Sequence, residues 1–572
     1  MSLEIVKKTY LRILPVQILS LLIPAINVMI DSVITGKYIG TEALASIGLF
    51  VPISTLIGIT YVIVVGTQIL CGRAIGSGDK KRVVSLFSTC MVTLGTFSLV
   101  LSIICNVFSN PLAMLLGAVG ENVRLTSSYI TGYSYGIIGQ VLAGMLTFFL
   151  PLNNDKNRSY LSIATMVTTN IALDVLFVTV WSMGTFGMGL ATSISYLASF
   201  AILLTGFFDR KKTMYFDGKE LDFRMLPEAI PLGLPSLMFT AGCTLKAYIM
   251  NLSMMKTIGT DAVAVINVQN SVISIVGSVP QGCAAAFSAL ATISYGEEDR
   301  EGFVAAFRYA TKVGLVLSAV LTFLIMASAD FMPLLFFQSG DPACAIAKRM
   351  FIIFPSFLIF NVIFNIFLKC YQSQGKMHFV NIASFVESLI MGIIIVIGAP
   401  LIGTDAAWIA FSITEIILLF VIFLIRLKEG SWLRLDADFG AAESEKKEFT
   451  TISMYDVVRA SESIIKFCEE KGMSGRDSMI AGLCIEEMAG NIINYGFIDG
   501  KKHNIDIRVV IKNDLLTIRI RDDCAAFNPV VRMDKFYPDD MGKCIGIRMI
   551  GKLTKDISYY NSVGINTLLL KV

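Results

Sequence analysis

Ile39-Gly-Thr-Glu-Ala-Leu-Ala45 returns as Ile258-Gly-Thr-Asp-Ala-Val-Ala264. The same interval, to within one residue, relates Leu14-Pro15 to Leu234-Pro235 and the loop residue Lys156 to Lys376. A repeat of this period duplicates a whole domain. Around the repeated pieces the chain is a succession of apolar runs, near 12–36, 44–70, 83–108, 125–150, 159–181, 187–208, 229–255, 262–292, 306–328, 350–371, 379–400 and 406–427. Each is close to the ~20 residues an α-helix needs to cross a bilayer. The expected fold is therefore an α-helical polytopic membrane protein of twelve transmembrane helices, spans 1 to 12, in two six-helix repeats, residues 1–208 and 225–428. Parallel repeats of this kind imply a pseudo-two-fold axis along the membrane normal and a substrate cavity between the halves.

Composition agrees, because a chain of 572 residues that is 55% hydrophobic and 16% charged cannot hide its apolar surface in soluble cores. Membrane lipid is its expected surrounding. A net charge of +3 argues against nucleic acid as a partner. The 11 cysteines form no CxxC pair, and His378 and His503 lie far apart, so neither a zinc site nor a disulfide framework is signalled. Lys7, Lys8 and Arg12 precede an apolar stretch too long for a signal peptide, which reads as span 1. Lys80, Lys81, Arg82, Arg158, Arg210, Lys212, Arg300, Lys376, Arg426 and Lys428 fall in alternate connections or flanking ends, whereas the opposite connections carry few basic residues. The positive-inside rule then places both termini in the cytoplasm of a bacterial cell, with the chain in the plasma (inner) membrane.

Ionisable groups inside spans are costly, so they mark function. Asp31 sits near the outer end of span 1, Asn170 and Asp174 share one face of span 5, and Thr192 follows in span 6. Two carboxylates with amide and hydroxyl oxygens suit Na+, and paired carboxylates equally share a proton, so the coupling ion stays open between Na+ and H+. The second half offers Lys246, Gln269, Asn270, Glu387 and Glu415 as a weaker set for the substrate cavity.

The order of spans, the Ile39 to Ala45 turn with its echo, and the Ile75-Gly-Ser-Gly-Asp79 loop resemble the MATE family of multidrug and toxin extrusion transporters over roughly residues 1–430. The resemblance implies two six-helix lobes that export organic, often cationic, compounds or drugs in exchange for Na+ or H+. It also implies that Asp31, Asn170, Asp174 and Thr192 form the cation-coupling site of the first lobe. Some relatives carry a coupling acid in span 10, where this chain has Asn361 and Asn365, which argues for coupling in the first lobe alone.

Residues 429–448 are polar and read as a linker. Beyond it, 449–572 is long enough for one soluble core. Apolar residues at helical spacing run over 454–470, a second helix covers 477–495, and alternation marks strands over 505–511, 516–520, 557–560 and 567–572, giving an α+β sandwich. Three motifs here resemble the GHKL ATPase fold, in the branch of anti-sigma-factor serine kinases. They are Glu486-Glu-Met-Ala-Gly-Asn-Ile-Ile-Asn-Tyr-Gly-Phe497, Asp522-Asp-Cys-Ala-Ala-Phe-Asn-Pro529 and Gly542-Lys-Cys-Ile-Gly-Ile547. The resemblance implies Glu487 as catalytic base, Asn491 as the Mg2+ ligand, Asp522 as acceptor for the adenine amino group, and Gly542 and Gly546 at the phosphates of ATP. Its implied partner is an anti-anti-sigma-like (STAS) protein. Cys524 and Cys544 stand where that family has glycine, and crowding there would leave a docking domain rather than an enzyme.

The expected function is thus a cation-coupled antiporter for multidrug efflux, with a regulatory or serine-kinase domain. The alternatives are a membrane sensor signalling through a serine/threonine protein kinase domain, and a lipid-linked substrate flippase. The flippase would be expected to line its cavity with more cations than Lys246.

Overall fold

A computed structural model of the chain describes residues 1–572 apart from 211, 258–259, 338–340, 431, 434, 437–438, 499, 501, 513–514 and 535–544. It also leaves the side chains at 32–33, 36–37, 41–42, 44–45, 156, 251, 255–257, 260–261, 263–264, 267, 429 and 532–534 undescribed. Among the described residues, 10 helices are long and apolar enough to cross a membrane: Leu3–Asp31, Ser46–Ser77, Lys80–Val107, Asn157–Val180, Gly184–Phe207, Val268–Gly296, Arg300–Ala327, Pro342–Gln374, Met377–Ile402 and Asp405–Lys428. The remaining two expected spans are helical as well. One is broken at residues 135–136 into Glu121–Ser134 and Ile137–Phe149, and the other is Leu226–Thr257 with Pro231 and Pro235 inside it. Val100, Ile103, Val107, Phe323 and Leu401 are more than half exposed on these helices, a surface that only lipid can cover favourably.

The two halves meet where Tyr61–Ser77 of the first packs against Leu226–Thr257 and Ser278–Gly296 of the second. Small residues permit this approach. A Cβ on Gly233 would lie 1.7 Å from the Val62 carbonyl oxygen, and one on Gly76 would lie 2.3 Å from the Ile293 oxygen. The repeated turn at 258–264 begins on residues outside those described.

The C-terminal part is an antiparallel sheet of five strands in the order β1-β2-β3-β5-β4. These are β1 (Lys446–Thr451), β2 (Ile505–Lys512), β3 (Leu515–Asp522), β4 (Asp556–Ser562) and β5 (Ile565–Lys571). Helices Met454–Glu470 and Gly475–Gly496 cover one face, each started by a serine whose side chain accepts from a backbone N–H three residues on, Ser453 from Asp456 and Ser474 from Asp477. Val457, Ile464, Ile485, Ile507, Ile518 and Leu570 form the core between helices and sheet. β1 begins at Lys446, so the stretch read as linker to residue 448 is three residues too long. Its Lys-Lys-Glu opening is polar, and it is a strand because β2 supplies the hydrogen bonds. Residues 513–514, between β2 and β3, and the Gly542, Lys543 and Cys544 positions lie outside the described residues.

The opposite face of this sheet lies on the membrane part. Arg519 donates from Nη1 to the Glu297 oxygen of the second half, 3.0 Å away, and from Nη2 to the Gly76 oxygen of the first half, 3.2 Å away. Arg521 pairs with the Glu297 carboxylate and, at 3.0 Å, with Asp299, while Tyr560 donates to Glu297 at 2.8 Å. Burial opposes ionisation of Asp299, yet the Met1 α-amino group, Arg521 and Arg508 together hold its carboxyl well below the usual carboxylate range. On the first half, Val563 N–H donates to the Pro151 oxygen at 3.1 Å and Ser562 to the Leu152 oxygen at 2.6 Å. Thr213 donates to the Asn561 oxygen at 2.8 Å.

Candidate functional site

In the first half the expected residues converge. Asn170 and Asp174 are fully buried and Thr192 nearly so. Asn170 donates to Thr192 at 3.5 Å, and Asn27 donates to Asn170 at 2.6 Å. Asp31 lies beside Asp174, close enough for each to perturb the other. Neither Asp174 oxygen nor Asp31 Oδ1 receives a hydrogen bond from a described group, although all three atoms are buried. Buried carboxyl oxygens without donors are expensive. A bound cation or a shared proton relieves that cost, and the neighbouring amides add neutral oxygen ligands. Both acids precede a π-helical turn, Thr35–Ile39 after Asp31 and Leu176–Val180 after Asp174, and these two turns touch. Such turns re-aim side chains and recur at functional sites. Asn27 was not among the expected residues, although it lies one turn before Asp31 on the same helix face.

The second-half set is only partly assembled. Glu387 and Glu415 are buried, with Lys246 within electrostatic reach of both and its Nζ 4.8 Å from the centre of the Phe411 ring. Asn361 donates to Glu415 at 2.6 Å, and Asn365 donates to Asn361 at 2.8 Å. Span 12 thus brings a carboxylate to the amides of span 10. Gln269 is buried with neither side-chain polar atom bonded to a described group, whereas Asn270 is exposed on its helix.

In the C-terminal part, a cavity of about 500 Å³ is lined by Met488, Asn491, Asp522, Cys524, Phe527 and Tyr559, among others. That is within the size range of small-ligand sites. Asp522 is buried in its wall and accepts at Oδ1 from the Cys524 N–H at 2.9 Å and from Asn566 at 2.7 Å. Burial raises the Asp522 carboxyl above its ordinary value, against these two donors. Cys524 is a wall residue of the cavity and does not close it. Glu487 is half-buried, and its carboxylate is pressed against Gly546, where a Cβ would lie 1.8 Å from Oε2. Asn491 and Asp522 therefore line one cavity, whereas Glu487 and Gly546 lie against each other one turn before Asn491 and are not among its lining residues. Asn566, Tyr559 and Phe527 were not among the expected site residues; Phe527 lies inside the Asp522–Pro529 motif, and Tyr559 and Asn566 come from β4 and β5, distant in sequence.

The chain is 24% identical to the "Probable multidrug resistance protein YoeA" of Bacillus subtilis over 60% of its own length and 76% of that protein. It is 25% identical to the "Multidrug export protein MepA" of Staphylococcus aureus over 37% of its length, and it spans about half, 48%, of that relative. A crystal structure of MATE in complex with MaL6 superposes with a TM-score of 0.70 at 21% identity, over 75% of this chain and 97% of that one. A Pyrococcus furiosus transporter of the MOP superfamily, described by a reverse polarity of its binding pocket, superposes at 0.67 with 22% identity, over 75% of this chain and 97% of the other. Both share the fold of the membrane part. The MatE family model matches residues 17–176 and 235–397. These two segments fall one in each repeated half and together cover more than half of the sequence, so the chain belongs to the MatE family.

Proposed function

We propose that the chain is a cation-coupled antiporter that exports organic cations across the bacterial inner membrane through twelve crossings, with both termini and the C-terminal domain in the cytoplasm. The observation that carries this reading is the pair Asp31 and Asp174 beside Asn27, Asn170 and Thr192, with Asp31 Oδ1 and both Asp174 oxygens buried and receiving no hydrogen bond from a described group. A cation, Na+ or H+, binds between these groups. Its release to the other side is the step that substrate exchange requires, since two unneutralised carboxylates at that depth are costly. The multidrug names of the relatives agree with a broad substrate range. Counterflow of a fluorescent organic cation in proteoliposomes, with Na+ and pH gradients imposed separately, tests the reading. Transport indifferent to both gradients overturns it.

The C-terminal domain is read as a GHKL-type ATP-binding domain on the strength of its cavity. Asp522 accepts from the adenine amino group, and Asn491 stands where Mg2+ would be held. ATP, when bound with Mg2+, supplies a transferable phosphoryl group. Glu487 is placed to take the proton of an attacking serine hydroxyl on a small STAS-like partner. This makes serine-kinase signalling the second reading, favoured by the placement of Asn491 and Asp522 on one cavity with Glu487 one helical turn away. Calorimetry of the full-length protein with Mg-ATP tests it, and absence of binding at millimolar nucleotide overturns it.

A further inference from the structure

The sheet of the C-terminal domain touches both halves of the membrane part at the end where those halves touch each other. Arg519 alone bonds a carbonyl on each half. Its neighbours divide the labour, with Arg521 and Tyr560 on the Glu297 to Asp299 loop and Asn561 to Val563 on the 151–154 loop and Thr213. Rocking the halves apart at this end would have to break one set or the other, because a guanidinium cannot follow two carbonyls moving in opposite directions.

A second chain of hydrogen bonds joins this seat to the cavity. Asn566 donates to Asp522 at 2.7 Å and accepts from Asn561 Nδ2 at 2.6 Å. Asn561 in turn accepts from Asn154 of the first half and bonds Thr213. Asp522 Oδ1 is already shared between Asn566 and the Cys524 N–H. A ligand amino group that donates to this oxygen competes with Asn566, which accepts from the Asn561 amide and so helps, with Asn154, to orient that side chain.

We propose that the C-terminal domain is a clamp across the two halves, which holds their shared end shut while seated and is released when a ligand donating to Asp522 fills the cavity. The release route rests on the reading of the cavity as a nucleotide site; the clamp itself does not. The result is control of an ion-driven transporter by nucleotide occupancy, with no hydrolysis needed for transport.

The test uses full-length protein in lipid nanodiscs, with spin labels attached through a ketone amino acid at positions 81 and 308, one on each half, so that the native cysteines stay untouched. Without nucleotide, the wild type is expected to give one narrow short distance. Arg519→Ala should raise the long-distance population about tenfold, the scale of a lost hydrogen bond to a charged group. Arg519→Lys, which cannot fork between two carbonyls, should fall between the two. Asn154→Gly is the milder second variant, since Asn154 has a φ of 54° that glycine accepts without strain. A wild-type distance in both Arg519→Ala and Asn154→Gly overturns the clamp. Saturating Mg-ATP should move the wild type to the open population, and by reciprocity Asn154→Gly should bind Mg-ATP more tightly by the factor by which it opens. Calorimetric binding with no change in distance overturns the release route. No calorimetric binding overturns the nucleotide reading and with it the release route, leaving the clamp to stand or fall on Arg519→Ala.

Discussion

Asp174→Asn separates a coupling role from a structural one. The side chain is fully buried and neither oxygen is bonded, so an amide of the same shape breaks no hydrogen bond present in the structure. It also removes a buried charge from a membrane helix, whose cost is bounded by the ~2.5–3.5 kcal/mol of the bilayer centre. The variant should therefore melt within a few degrees of the wild type, or above it. Ion binding should respond in the opposite sense. Unit charges ~4 Å apart at an effective dielectric of ~20 attract by about 4 kcal/mol. Losing one of two carboxylates thus lowers cation affinity by roughly a thousandfold. The assay is efflux of a fluorescent cation from proteoliposomes under Na+ or pH gradients, paired with thermal unfolding in the same lipid. Efflux at the wild-type rate refutes the assignment of Asp174 to coupling. Loss of folded protein instead makes Asp174 a structural group.

Glu387→Gln and Glu415→Gln should retain most of the efflux that Asp31→Asn and Asp174→Asn lose; equal loss in all four would move coupling into the second half. Asp522→Asn should weaken Mg-ATP binding by ten- to more than a hundredfold, the ~1.5–3 kcal/mol of a hydrogen bond to a charged acceptor, as read by calorimetry. Glu487→Gln should leave that affinity unchanged and abolish phosphotransfer to a STAS-like serine; retained transfer would remove Glu487 as the base. Gly76→Ala should hold the halves apart, because its Cβ would sit 2.3 Å from the Ile293 oxygen, and a variant with unaltered transport would show that end to be loosely packed. Since the Asp299 carboxyl is depressed in the folded protein, its contribution to the seat is fully present above the ordinary value of 3.8 and is lost only as pH falls through the folded value below it. The distance between the two halves should therefore be the same at pH 8 and pH 5, and opening by pH 6 would contradict this.

The membrane helices were legible because lipid demands long apolar runs, and the set Asp31, Asn170, Asp174 and Thr192, which the structure brings together, was legible because charges there are rare enough to stand out. Asn27 was harder, as asparagine in a membrane helix is unremarkable until Asn170 is seen to accept from it. The tie between Asn361 and Glu415 joins spans 10 and 12, and nothing local in either span announces it. Arg519 and Arg521 alternate with Ile518 and Ile520 along β3, a pattern that reads as a strand with one face in water. That face is buried instead, because its partners lie in loops more than two hundred residues upstream. Of the residues expected from the three motifs, Asn491 and Asp522 line the cavity, whereas its wiring through Asn566 and Asn561 depends on a β-hairpin register that spacing alone does not fix.

The position of Arg519 in the chain also sets an order of biogenesis. It follows Gly76 by 443 residues and Glu297 by 222, so a ribosome delivers every membrane helix to the bilayer before the residue that joins the two halves exists. Each half must therefore be tolerated by the translocon and its neighbouring lipids as an unfastened unit, and fastening is a post-translational step. On the clamp proposed above, a chain released early by a premature stop would insert with the same helices but would lack the Arg519 link, and its transport would escape control by the domain.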